Sequence, residues 1–411
     1  MQALARSDFE ALDRDDPLSS YRAQFDIPED IIYLDGNSLG VLPKATKARL
    51  REVVETQWGE GLIRSWVDAD WINAPARVGD KIARFIGAKS GEVIVCDSTS
   101  VNLFKLAAAA VQMNPGKSKI ISEPGNFPTD LYVLQGLVEF LQGRVELVTL
   151  PRENIKDAID EDTALVVLTH VHYKTGEMYD MSEITKAAHK KSALTLWDLS
   201  HSAGAVPLDL NTTAVDFAVG CGYKYLNGGP GAPAFLYIAQ KHHAQVRQPL
   251  SGWFGHARPF AFVDDYEAAP GIERALCGTP SVIATSALET GVDIMASVNQ
   301  QQLREKSCQL GDLFIQLVTS RCPEFEILSP RNSDARGSQV SIGHEQGYAI
   351  IQSLIQRKVI GDFRAPNVLR FGFTPLYLRY VDIWDCVDNL VDIMATGEWD
   401  CAAYKTMAAV T

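Results

Sequence analysis

The feature that most constrains this chain is a run of consecutive apolar residues, Ala164-Leu165-Val166-Val167-Leu168-Thr169, with no polar alternation. A strand with one face in water would alternate, so this one is read as buried on both faces. Further strands are read at Lys119–Ser122, Arg144–Leu150, Leu194–Asp198, Phe217–Val219 and Ala234–Ile238. Helical periodicity lies between several of them, at Val101–Met113, Asp130–Leu141 and Met181–Lys191. Upstream, Thr46–Trp58 and Arg77–Ile86 are predicted helices and Glu92–Cys96 a strand. Strands alternating with helices imply an α/β fold, a mostly parallel sheet covered on both sides.

At 411 residues the chain exceeds one compact core, so two or three domains are expected. Residues 1–45 read as a helical start and an irregular arm punctuated by Pro17, Pro28 and Pro43, with Tyr33–Ser38 as a short strand entering a turn. Residues 46–290 form the large α/β domain. A helical stretch from Ser281 to Val318, broken near Val298-Asn299, connects to a smaller α+β domain at 291–411. There the order is strand (Phe325–Leu328), strand (Gln339–Ile342), helix (Gln346–Gln356), strand (Val368–Phe373) and helix (Val381–Met394).

A net charge of −13 disfavours nucleic acid and anionic membrane as partners. The seven cysteines are scattered with no Cys-x-x-Cys pair, which suits reduced thiols. Met1–Asp8 has no apolar core of a secretory signal, and Leu103–Met113, interrupted by Lys105 and Gln112, is too short to span a bilayer. A cytoplasmic protein is the expectation.

Open α/β sheets bind ligands beyond the carboxyl ends of their strands. Asp198 closes a buried apolar strand. It is either a helix cap or the partner of a buried cation, such as the pyridinium nitrogen of pyridoxal phosphate (PLP). Lys224, flanked by Tyr223, Tyr225 and glycines after the next strand, is either incidental to a tight turn or a desolvated Schiff-base amine. The Gly-Lys-Ser/Thr ending of a phosphate loop is absent. Asp198 ending one strand, with Lys224 following the next 26 positions on, is the arrangement of fold-type I PLP enzymes. Thr99 and Ser100, opening a helix, offer a phosphate site or a simple cap. Phe127 is placed either to stack on a planar cofactor or to pack in the core. Arg370, in an otherwise apolar strand, binds a substrate carboxylate or forms an internal salt bridge. His170 and His172 have no third ligand at suitable spacing, so no metal site is expected.

Taken in order, these segments resemble the kynureninase family, in its bacterial form, over about residues 20–395. The specific stretches are Tyr33–Gly40, Asn126–Asp130, Asp198–Gly204, Gly222–Asn227, Ser251-Gly252-Trp253-Phe254-Gly255-His256, and Arg370–Tyr377. The resemblance implies PLP on Lys224, with Asp198 on the ring nitrogen and Phe127 on the ring face. Thr99, Ser100 and Tyr223 would hold the phosphate, and Asp130, Thr169 and His201 would line the pocket. Trp253 and Thr279 would enter from the second subunit of a homodimer, and Arg370 would bind the substrate carboxylate. The implied reaction is hydrolytic Cβ–Cγ cleavage of L-kynurenine to anthranilate and L-alanine, in tryptophan degradation. Lys224 would move the α-proton and Tyr223 would relay protons. Phe127, Trp253, His256, Trp66 and Trp71 are candidates for an aromatic wall. Whether 3-hydroxykynurenine is also a substrate is left open, because one ring hydroxyl is settled by pocket geometry.

Two alternatives follow from the same features. A cysteine desulfurase would need a nucleophilic cysteine on a mobile glycine-rich loop. Here Cys322 lies between a helix and a strand, and residues 332–337 contain no cysteine. A PLP-binding transcription regulator would need a basic helix-turn-helix, which the acidic chain does not offer.

Overall fold

Where the sequence is apolar at every position, the chain forms strands with no exposed face: all seven residues of Thr163–Thr169 are buried. The computed structural model describes residues 4–406. The start of the arm (1–3, part of the segment read for a signal) and the end of the small domain (407–411) lie outside the described residues.

The arm contains helix α1 (Arg6–Arg14) and strand β1 (Ile32–Tyr33). Helix α2 (Lys44–Arg51) continues as a π-helical stretch over Glu52–Trp58, so the helix expected at Thr46–Trp58 is one rod that changes its hydrogen-bond register midway. Then come α3 (Ser65–Asp68), α4 (Ala74–Phe85), β2 (Val93–Val95), α5 (Thr99–Met113), β3 (Lys119–Ser122), α6 (Pro128–Phe140), β4 (Glu146–Thr149) and α7 (Ile155–Ala158). These are followed by β5 (Thr163–Thr169), α8 (Met181–Lys190), β6 (Leu194–Asp198), β7 (Phe217–Gly220) and β8 (Phe235–Ile238).

Strands β2 to β8 form one sheet in the order β2-β8-β7-β6-β5-β3-β4. Pairing is parallel except at β8, which runs antiparallel to both β7 and β2. The physical reason is the connection: the stretch from β7 to β8 contains no helix, and a parallel neighbour requires a crossover. Successive residues of the buried strands feed two separate cores. Leu165, Val167 and Leu196 enter one, while Val166, Leu168 and Trp197 enter the other. Fully apolar strands are the result.

Helix α9 (Val282–Ser297) packs on α2 and α4. After the break, the Asn299 side chain caps α10 (Gln300–Arg321), and α10 packs elsewhere, on the later α12 (Tyr380–Thr396). Between them lie β9 (Glu326–Ile327), β10 (Gln339–Gly343), α11 (Gly347–Gln356), β11 (Val359–Ile360), β12 (Asp362–Arg364) and β13 (Val368–Gly372). A four-stranded antiparallel sheet has the order β12-β13-β10-β9. The arm leans on this part of the molecule: β1 pairs with β11, and Phe9 packs against Trp384 with ring centroids 5.5 Å apart.

Candidate active site

The parallel register of β5 and β6 sets Thr169 beside Asp198 at their carboxyl ends. The turn after β7 brings in Tyr223 and Lys224. Helix α5 starts at the same edge, with the Ser98 side chain accepting from the Val101 N–H, followed by Thr99 and Ser100. Helix α6 starts there too, entered through Phe127 and Pro128 with Asp130 in its first turn. These side chains line one cavity of about 200 Å³. Thr99, Ser100, Phe127, Asp130, Thr169, Asp198, His201, Tyr223 and Lys224 are all in its wall, together with Ser98, Thr129 and Ser200. Ser200 was not singled out from the sequence, although an Asp followed two positions later by Ser is the signature of a side-chain-closed turn.

Asp198 does cap its turn: its Oδ1 accepts from Ser200 N at 2.8 Å and from Ser200 Oγ at 2.6 Å. Asp130 lies within hydrogen-bond reach of Asp198 and accepts from Thr169 Oγ1 at 3.3 Å. Burial, then the neighbouring carboxylate, pushes Asp130 well above the ordinary range, and burial raises Asp198 as well. Lys224 Nζ sits 2.9 Å from His201 Nε2, 5.8 Å from the centre of the Phe127 ring and 5.7 Å from that of Tyr223. Burial and the nearby Lys224 hold His201 well below its ordinary value. Both ring nitrogens are enclosed, and Nε2 is the one that pairs with Lys224. The buried Nδ1 has no hydrogen-bond partner among the described residues.

Two buried carboxyls facing a single lysine call for a second cation, an unpartnered ring nitrogen calls for a hydrogen-bonding group, and a hydroxyl-rich helix start calls for an anion. A flat ring with a protonated nitrogen and a phosphate answers all three. The residues present fit PLP.

Three expected residues stand outside this cavity. Thr279 lines an adjoining cavity of about 560 Å³ that shares Ser98 and Tyr223 with the first. Trp253, 37% exposed, heads an aromatic row. It touches Phe254 (centroids 4.3 Å), which meets Trp66 (5.7 Å), which meets Trp71 (5.9 Å). The aromatic wall therefore splits: Phe127 pairs with Tyr173 at 5.3 Å, and His256 is tied within its own loop by the Arg258 N–H and the Asp265 carbonyl. Arg370 is buried in the small sheet, where the internal salt bridge is formed. Nε donates to Asp362 Oδ1 at 2.7 Å, Nη2 to Asp362 Oδ2 and to Ser38 Oγ (3.0 Å), and Nη1 to the Tyr173 carbonyl (2.5 Å).

His170 and His172 spend ring nitrogens on Ser202 Oγ and the Gly125 carbonyl, and among the described residues no three His, Cys, Asp or Glu gather to hold a metal ion.

Family models match two stretches: the kynureninase C-terminal domain over residues 303–390 and the DegT/DnrJ/EryC1/StrS aminotransferase family over residues 69–215. A kynureninase of Burkholderia pseudomallei (strain 1106a) is 50% identical over 408 residues, covering 98% of both chains. One from Pseudomonas fluorescens is 49% identical over 414 residues, covering 99% of both. The chain belongs to the kynureninase family.

Among solved structures, a cysteine desulfurase from Thermococcus onnurineus NA1 superposes with a TM-score of 0.78 at 18% identity, over 96% of this chain and all of that one. The C-DES protein, solved with glycine covalently linked to its PLP cofactor, gives 0.77 at 15%, over 95% of this chain. At such identities they show the shared fold-type I architecture and nothing about substrate. Cys322, the cysteine weighed for a desulfurase, is fully buried, and burial pushes its thiol up to about 12.

Proposed function

We propose that this chain is a PLP-dependent hydrolase that cleaves the Cβ–Cγ bond of L-kynurenine to give anthranilate and L-alanine. What carries this reading is end-to-end similarity to kynureninases, combined with a buried lysine facing a carboxyl pair at the carboxyl edge of the sheet. PLP, when bound, supplies a protonated ring that draws electrons from the bonds at substrate Cα and Cβ.

The chain's own residues divide the remaining work. Lys224 Nζ would hold the cofactor, and the same amine would move the proton at substrate Cα. Its neighbour His201, held well below its ordinary value by burial and by Lys224, pairs with Nζ without competing for charge. Asp198 and Asp130 would hold the ring nitrogen, with Thr169 donating to Asp130. Phe127 would help hold the ring. Thr99, Ser100 and Tyr223 would hold the phosphate, and the Tyr223 hydroxyl would relay a proton. Arg370 receives the substrate carboxylate, with the Tyr173 carbonyl and the Tyr173–Phe127 contact linking it to the cavity.

We further propose a cytoplasmic homodimer in which Trp253 and Thr279 complete the partner's site. The exposed position of Trp253 and the nearness of Thr279 to Ser98 and Tyr223 support a shared edge. Domains are assigned as the arm (1–45), the cofactor domain (46–290) and the small domain (291–411). The helix break at Val298-Asn299 is the mechanical joint, since α9 packs on the large domain and α10 on the small one. Both kynurenine and its 3-hydroxy derivative remain within the substrate class.

The test is to add L-kynurenine to the purified protein and follow anthranilate fluorescence with equimolar alanine. No product, with a cofactor absorbance band present in the native chain and lost in Lys224→Ala, would overturn the reaction while leaving the fold. Elution at the monomer mass would overturn the shared site.

A further inference from the structure

Arg370 is not held by Asp362 alone. The arm runs between β11 and β13, with Leu34 N donating to the Ile360 carbonyl and Gly372 N to the Leu34 carbonyl, both at 2.7 Å. That path places the Asp35 carboxyl within hydrogen-bond reach of Asp362, which already takes Arg370, Arg364 (2.8 Å) and Ser38 Oγ (2.7 Å). Asp35 Oδ1 is buried with no hydrogen-bond partner among the described residues. The groups facing Asp35 are Tyr33 and Ser38 of the arm, Asp362 and Arg364 of β12, Arg370 of β13, Tyr225 of the lysine turn and Tyr377 beyond β13.

The charges then count as follows. Two carboxylates and two guanidiniums balance, and a third carboxylate from substrate would leave one uncompensated negative charge in a buried place. We propose that Asp35 and Asp362 form a proton-sharing pair, so that binding a substrate carboxylate at Arg370 places one proton from solvent on Asp35. Asp35 is a positioning residue here, acting through Asp362 on Arg370, and the proposal rests on Arg370 being the carboxylate site. Burial, then Asp362, pushes Asp35 up to about 7, where a proton is available at neutral pH. Below that value the cluster carries a net positive charge and receives the carboxylate directly.

The probe is 4-oxo-4-phenylbutanoate, which has the carboxylate and aryl ketone but no amine to displace Lys224. Its binding to the cofactor-loaded protein is measured by calorimetry in two buffers of different ionisation heat. Near pH 8 uptake should approach one proton, and Kd should rise about tenfold per pH unit above the Asp35 value. Asp35→Asn, which mimics the protonated form, should bind with no uptake and a Kd flat from pH 6.5 to 8.5. Asp362→Asn, which removes one of the two carboxylates so that the two guanidiniums balance Asp35 and the probe, should also abolish uptake. Absence of uptake in the native protein, or equal uptake in whichever of these variants folds, overturns the proposal. Probe binding left unchanged in Arg370→Lys overturns the carboxylate-site reading instead.

Discussion

Asp130 and Asp198, one from a helix start and the other from a strand end, bring two carboxyls within hydrogen-bond reach at 2% and 3% exposure. Lys224 lowers both, but burial outweighs it. Unfolded, each ionises near its ordinary value of about 4. Folded, both are raised, so the folded state binds more protons over that interval. Stability is then fully present below about pH 4 and lost as pH rises through the raised folded values.

The cofactor-free protein should therefore lose stability between pH 5 and 8, and Asp130→Asn should flatten that dependence. With cofactor bound the order reverses, because the variant has lost part of the counter-charge for the ring nitrogen. Urea denaturation at both pH values, with and without PLP, checks this. An unchanged slope in the variant would remove the pair as its source.

The Lys224–His201 contact makes a second prediction. Removing the buried ring leaves Lys224 Nζ without its hydrogen-bond partner, at a cost of about 1–3 kcal/mol. His201→Phe should therefore destabilise the cofactor-free chain in the native background and much less on top of Lys224→Met, a coupling that a double-mutant cycle reads directly. Separately, Lys224→Ala should lower kcat by at least about 10²-fold. Additive effects of the two first-named substitutions would mean that the contact carries no energy.

Much of this molecule was legible because burial leaves a periodic trace. Lys119–Ser122 and Leu194–Asp198 are strands at the residues read for them. Asp198, Lys224, Thr99 and Ser100 stood out because strand ends and helix starts are marked by Asp, Lys, Ser and Thr, whereas Asp130, Thr169 and His201 came only through the family resemblance. Strand β12 was missed because Asp362-Phe363-Arg364 is charged at two of its three positions. Those charges make sense only opposite Arg370, its register partner eight residues later. The meeting of Asp130 with Asp198, and of Asp35 with Asp362, depends on distances across elements, which no local pattern encodes. The antiparallel direction of β8 had a trace after all, since no helical periodicity lies between Phe217–Val219 and Ala234–Ile238 to carry a parallel crossover.

At the opposite edge of the sheet, Asp216 collects His189 Nε2, His242 Nε2 and Lys241 Nζ, each at 2.8 Å, and Thr195 N at 2.9 Å. Burial alone would raise this carboxyl, but these donors drive it far below the ordinary range. Its contribution is therefore present above its unfolded value near 4 and persists well into acid. Asp216→Ala should cost about 1–3 kcal/mol, because it leaves the buried Thr195 N–H without its acceptor while His189, Lys241 and His242 turn to solvent. The urea midpoint at pH 7 measures this, and kcat of the folded fraction should be unchanged. A shift below about 1 kcal/mol would show that solvent replaces the carboxylate at little cost.

The last prediction concerns how the arm reaches the lysine turn. Gly40 N donates to the Tyr223 carbonyl at 2.7 Å. A Cβ on residue 40 would lie 2.2 Å from the Lys224 carbonyl oxygen and 2.7 Å from Asn227 Cα, and neither backbone group can swing aside as a side-chain tip would. Gly40→Ala must therefore push either the arm off the turn or the turn off its place, at about 1–3 kcal/mol. Because the turn carries Lys224, kcat should fall together with the melting temperature. Gly136 supplies the control: it lies within α6, and a Cβ there meets nothing within 4 Å. Gly136→Ala should be stabilising by about 0.5–1 kcal/mol through the helix term alone, with native kcat. If Gly40→Ala melts and turns over like Gly136→Ala, the arm does not brace the lysine turn.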